Sequence, residues 1–126
     1  MREIYLVWLD DSPDFVPSLE GKIEILEYDH QVKFIIDEHQ NGENFDTIAR
    51  NITDSVFLID YNLKDSYGNN CDGDQIIKTI RENNSDCKIF FYSAQSTQEE
   101  LRKLVAGIEN VFPISRENIM DELRKL

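Results

Sequence analysis

Val56-Phe57-Leu58-Ile59-Asp60 is the run on which the reading of this 126-residue chain turns. Its first four residues are apolar, and three of those four are β-branched or aromatic. A continuous apolar run of this kind reads as a strand buried on both faces of a sheet. It closes on a carboxylate, and Asn62, Leu63 and Lys64 follow in a stretch of turn formers. Open α/β sheets take their ligands at the carboxyl ends of their strands. Asp60 therefore stands where such a sheet does its chemistry. A lone Asp there also reads as a simple turn starter, so a second acidic strand end decides between the two.

That second end lies near the start of the chain. Residues 4–9 (IYLVWL) form another continuous apolar run, and it closes on Asp10 and Asp11. Phe15, Val16, Leu19, Ile23 and Leu26 then recur in steps of three or four, one face of a helix that begins near Pro17 and stops before Gln31. Val32, Phe34 and Ile36 alternate as a second strand. Phe45, Ile48, Ala49 and Ile52 mark a helical face with Asn44 as its N-cap. After Asp60 a loop runs to Asp72, and Gly73 and Asp74 open a helix with Ile76, Ile77 and Ile80 inward. Residues 88–92 (KIFFY) form a fourth strand ending at Ser93 and Ala94. Ser96 with Glu99, or Thr97 with Glu100, is a capping box for a helix with Leu101, Leu104, Val105 and Ile108 on one face. Val111 and Phe112 make a very short fifth strand, and Ser115 caps a last helix with Ile119, Leu123 and Leu126 inward.

Five strands alternating with five helices predict a single α/β domain over residues 1–126: a doubly wound five-stranded parallel sheet, order 2-1-3-4-5, with helices on both faces. In that order strands one and three are neighbours, so Asp10, Asp11 and Asp60 converge on one crevice, with Ser93 on the adjacent strand end. Ionised carboxylates so close repel one another, and a hard divalent cation relieves them. Mg²⁺ suits such a set, because it takes one or two carboxylates and leaves room for waters and phosphate oxygens.

Composition excludes several other classes. With 13 basic against 25 acidic residues the formal net charge is −12, which argues against direct binding to nucleic acid or an anionic membrane. No apolar run approaches membrane-spanning length, and no signal-peptide plan opens the chain. Cys71 and Cys87 show neither metal spacing nor a secreted framework, so they read as thiols of a reducing, cytoplasmic compartment. A flavin binder of this fold needs a phosphate loop after strand one, where Asp10, Asp11, Ser12 and Pro13 stand instead. A phosphatase of the haloacid dehalogenase type needs an Asp two residues after its nucleophile, where this chain has Asn62.

The blocks WLDDS, FLIDYNL, GDQIIKTIR and FFYSA, in this order and at these intervals, resemble the receiver domain of bacterial response regulators, and the resemblance covers the whole chain. It implies a CheY-like phosphoacceptor domain of a two-component system. Asp60 would be the phosphoacceptor; Asp11 and Asp60 would ligate Mg²⁺ directly, Asp10 mainly through water, and Asn62 through its backbone carbonyl. Ser93, followed by Ala94, would contact the phosphoryl group and shift the face made by the helix over 101–108, the fifth strand and the last helix. The implied partners are a sensor histidine kinase or phosphotransfer protein, an output domain or effector, and a second copy of the chain. The implied chemistry is at most the domain's own phosphorylation and dephosphorylation.

Two departures stand out. The family carries a Lys after strand five; here Phe112 or Ile114 holds that position, neither of them basic, and Arg116 is the nearest cation in sequence, at a helix start that would point it away. The loss bears on switching more than on metal binding, and makes a pseudo-receiver, a protein-binding module that signals without phosphate, the alternative. The loop over 64–72 is also longer than the family's usual one and acidic by composition, an insertion or a determinant of partner choice.

Overall fold

The computed structural model describes residues 2–40, 55–63, 72–83 and 86–126. The chain begins with β1 (Arg2–Leu9), a single helical turn α1 (Phe15–Ser18) and α2 (Glu20–His30), then β2 (Val32–His39). The central run becomes β3 (Val56–Asp60), followed by α3 (Gly73–Asn83), β4 (Ile89–Tyr92), α4 (Gln98–Leu104), β5 (Val111–Pro113), a 3-10 turn (Arg116–Asn118) and α5 (Ile119–Arg124). The strands form one sheet in the order β2-β1-β3-β4-β5, every neighbouring pair parallel. The helical face expected over 45–52, the loop over 64–71 and Cys71 lie outside the described residues.

Side chains alternate across a strand, so each strand feeds two cores. Leu6, Trp8, Leu58 and Phe90 pack beneath α1, α2 and α5 through Val16, Leu19, Ile23, Ile119 and Leu123. Val7, Leu9, Phe57, Ile59, Ile89 and Phe91 pack on the other face against Ile76, Ile77 and Ile80 of α3 and Leu101 of α4. Leu58 and Phe57 are almost wholly removed from water, as the unbroken apolar run requires of a central strand with helices above and below.

Several local expectations change in the folded chain. The helix expected to start near Pro17 is two pieces that meet at Leu19, and it stops at His30 because Gln31 turns left-handed (φ 52°). Of the two capping boxes, Thr97 makes the bond: its side chain accepts from Glu100 N at 3.2 Å. The helix it opens ends at Leu104, short of Ile108, and the chain turns out through Gly107 at φ +84°. Ser115 makes no side-chain cap; instead its carbonyl accepts from Asn118 N at 2.9 Å as the chain tightens into the 3-10 turn.

Candidate functional site

The carboxyl ends of β1, β3 and β4 meet at the edge of the sheet that faces α1 and α5. Leu9 pairs with Ile59, and Asp60 pairs with Tyr92, so Asp10 follows directly on the pair beside β3's last residue. Trp8, Leu58 and Phe90 all point into the α1–α2–α5 core. Asp10, Asp60 and Tyr92, each two residues further on, continue those rows on the same face. The fold thereby brings Asp10, Asp11 and Asp60 together: each offers a carboxylate oxygen, and all three oxygens lie within 4.8 Å of one another.

Asp10 and Asp60 are buried, with 1% and 6% of their surface exposed, while Asp11 faces solvent. Burial, then the Asp10 charge, with Asp11 adding to both, pushes the Asp60 carboxyl up to about 7, against the opposing N–H of Asn62. That amide donates to Asp60 Oδ1 at 3.3 Å. Both oxygens of Asp10 are already engaged. Oδ1 accepts from Ser12 N at 2.8 Å, and Oδ2 accepts the Tyr92 hydroxyl at 2.7 Å. Tyr92 Oη in turn accepts from the Trp8 indole N–H at 2.8 Å, giving a buried Trp8–Tyr92–Asp10 chain. Burial, and then the Asp10 charge, raises the Tyr92 hydroxyl well above its ordinary value, so it stays a donor.

The Asn62 side chain crosses to β4 and donates to Ser93 Oγ at 3.0 Å. Ser93 is buried, and the same oxygen receives Gln95 N at 3.1 Å and Ser96 N at 3.0 Å. Among the described residues Ser93 donates its proton to no partner in these bonds. Ala94 is exposed. α3 approaches β3 so closely that a Cβ on Gly73 would meet Asp60's carbonyl oxygen at 2.4 Å, so only glycine fits where that helix opens.

Neither residue at the expected Lys position serves the crevice. Phe112 is 42% exposed on the edge strand, its ring 6.1 Å from Phe90, and Ile114 is buried in the α1–α2–α5 core. The helix start does not point Arg116 away, contrary to the expectation from sequence. Its Nη2 lies 3.9 Å from Asp10 Oδ2, and its guanidinium carbon stacks 3.7 Å from the centre of the Phe15 ring. Tyr92, Phe15 and the pose of Arg116 are the parts that sequence reasoning missed. For Tyr92 a signal existed, because it closes β4 as Asp60 closes β3 and shares Asp60's parity.

The donor set suits a hard cation: three carboxylate oxygens in mutual reach, two of the residues buried, and the Asp60 carboxyl raised by burial and by its acidic neighbours.

No protein-family model matches the chain, and no curated protein matches its sequence. Solved structures do match it in shape. A response regulator from Burkholderia pseudomallei, described as carrying a phosphorylated aspartic acid, a calcium ion and citrate, superposes with a TM-score of 0.68 at 13% identity. The match covers 95% of this chain and 64% of that one, so the chain spans less than two thirds of that protein's length. The fold is the receiver fold. The receiver domain of Francisella response regulator 1452 matches at a TM-score of 0.64 and 18% identity, over 97% of this chain and 91% of that one. The receiver domain of the sensor histidine kinase PA1611 from Pseudomonas aeruginosa, with a magnesium ion coordinated in its active-site cleft, gives 0.65 and 18%, over 98% and 93%. Among the described residues no helix is long and apolar enough to cross a membrane.

Proposed function

We propose that this receiver-fold domain is a phosphoacceptor of a two-component signalling system, phosphorylated on Asp60 with the help of Mg²⁺. The observation that carries the reading is the convergence of Asp10, Asp11 and Asp60 within 4.8 Å at the carboxyl edge of the sheet. The neighbours in shape support it, since one is described with a phosphorylated aspartic acid and another with magnesium in the cleft.

An Asp60 carboxylate oxygen attacks the phosphorus of a donor, a phosphohistidine of a sensor kinase or phosphotransfer protein, or a small acyl phosphate. The new O–P bond forms as the bond from phosphorus to the donor breaks, and the donor leaves with that electron pair. Asp11, Asp60 and the carbonyl of Asn62 would hold Mg²⁺, which would supply positive charge against the transferring oxygens. Asp10 acts at one remove, because both of its oxygens already accept hydrogen bonds. Ser93 offers its uncommitted proton to a phosphoryl oxygen, which draws the Ser93–Ser96 turn toward the crevice. The state so favoured is one of two conformations, selected by a contact that exists in only one. The domain's own chemistry goes no further than gaining and losing its phosphoryl group. An effector protein or output domain then reads the altered face, in a cytoplasmic setting.

Incubation with acetyl phosphate and Mg²⁺ followed by intact mass measurement tests the reading. One added phosphoryl mass is expected, absent in Asp60→Asn. No addition to the wild-type protein would turn the assignment to a phosphate-independent binding module of the same fold.

A further inference from the structure

We infer that Arg116 is the phosphoryl-binding cation of this site, filling the need that neither Phe112 nor Ile114 meets; the inference rests on the phosphoacceptor reading above. A phosphoryl group arriving at Asp60 brings roughly two negative charges into a crevice already lined by carboxylates. One divalent cation does not balance that sum. Among the described residues Arg116 is the only cation in an ion pair with any of the three carboxylates.

The Arg116 side chain is held in place but not used up. The Phe15 ring fixes the plane of its guanidinium, with the carbon 3.7 Å from the ring centre. Phe15 is itself braced edge-on by Trp8 at 6.3 Å and by the tilted ring of Tyr92 at 6.1 Å. The contact to Asp10 is too long for a hydrogen bond at 3.9 Å, and the oxygen it faces already accepts Tyr92 at 2.7 Å. Among the described residues the Arg116 Nε–H is buried without a hydrogen-bond partner. A planar fork with unspent donors, oriented in advance beside Asp60's neighbour, is suited to bidentate contact with phosphoryl oxygens. Arg116 and Ser93 also share the wall of one open groove of about 790 Å³ that runs toward Phe15 and Met120. A guanidinium that leaves Asp10 for the phosphoryl group therefore changes the shape of that groove, joining the phosphorylated state to an outer surface.

The test compares Mg²⁺ alone with the beryllium trifluoride anion in the presence of Mg²⁺, a non-covalent stand-in for the phosphoryl group, both titrated by Trp8 fluorescence. Arg116→Gln should weaken the beryllofluoride complex by about tenfold or more, the loss of a charge-assisted fork. The same change should tighten Mg²⁺ binding, because a competing positive charge leaves the cluster. A purely structural arginine would not move the two affinities in opposite directions. Arg116→Lys keeps the charge without the fork, so Mg²⁺ affinity should hold at the wild-type value while the anion weakens severalfold. If Arg116→Gln does not fold, that Lys variant carries the test by itself. Wild-type affinity for the anion in the folded variants overturns the inference while leaving the phosphoacceptor reading intact. A wild-type protein that takes neither the anion nor a phosphoryl mass from acetyl phosphate defeats both.

Discussion

Asp60 keeps its charge at a cost that pH can reveal. Its carboxyl is raised from 3.8 to about 7 by burial, then by Asp10, with Asp11 adding. The unfolded chain gives up this proton near pH 4, while the folded domain holds it until near 7. Across that window the folded state binds more protons, so metal-free stability falls as pH rises. Above pH 7, Asp60→Asn should be more stable than wild type by roughly 1–3 kcal/mol, with a flatter pH profile. Urea melts in chelator from pH 5 to 8 check this, and an unchanged slope in the variant sinks it. The Tyr92 hydroxyl, between the Trp8 indole and Asp10, works in the opposite sense. Tyr92→Phe orphans a buried donor and removes a donor from a buried carboxylate, so it should cost about 1–3 kcal/mol. Tyr5→Phe, which breaks only an exposed 3.1 Å bond to Glu3, should change the melt little.

The elements hold these residues through close approach as much as through pairing. α3 opens on Gly73 because Asp60's carbonyl oxygen occupies the space of a side chain, 2.4 Å from where a Cβ would sit. Gly73→Ala must push α3 or the end of β3, costing about 2–3 kcal/mol as an overpacked site and displacing Asp60 from its neighbours. Gly21, in the first turn of α2, has no atom within 4 Å of its Cβ position. Gly21→Ala should therefore stabilise by about 0.5–1 kcal/mol. Thermal melts of both variants, with Mg²⁺ titration of the first, give the comparison. A Gly73→Ala protein with wild-type stability and metal affinity would refute the packing account. Periodicity made much of this scale readable. Ile76, Ile77 and Ile80 all face inward as spaced, and the two acidic strand ends predict the three-carboxylate cluster that the fold assembles. Periodicity failed where backbone or long-range contacts decide. The chain leaves α4 at Val105, two residues ahead of Gly107's left-handed turn, and the cap at Ser115 stays empty beside a 3-10 turn that uses its carbonyl instead. For Arg116 the sequence shows only a place at a helix start. Its pose is set instead by stacking on Phe15, a partner about a hundred positions away that no local pattern announces.

At the scale of the whole molecule the excess of carboxylates acts as a field. The chain carries a formal net charge of −12, and three of its carboxyl groups converge on one sheet edge. Such a field lowers the stability of the compact metal-free domain through self-repulsion, and it raises the local concentration of a divalent cation. Screening weakens both effects, since the Debye length falls from about 30 Å at 0.01 M salt to about 10 Å at 0.1 M. Monovalent salt should therefore raise the melting temperature of the metal-free protein while lowering its affinity for Mg²⁺. The proposed ligation by Asp60 needs that carboxyl ionised, so Mg²⁺ binding should release a proton below pH 7, and its stabilising effect should grow from pH 5.5 to 7.5. Melts with and without Mg²⁺ across that range, at two salt concentrations, separate the two dependences. The pH term belongs to the crevice and should vanish in Asp60→Asn. The salt effect on metal-free stability belongs mainly to the overall charge and should survive there. If that substitution abolished the salt effect too, the repulsion would have to be assigned to the crevice alone, and the account of a field spread over the whole surface would fail.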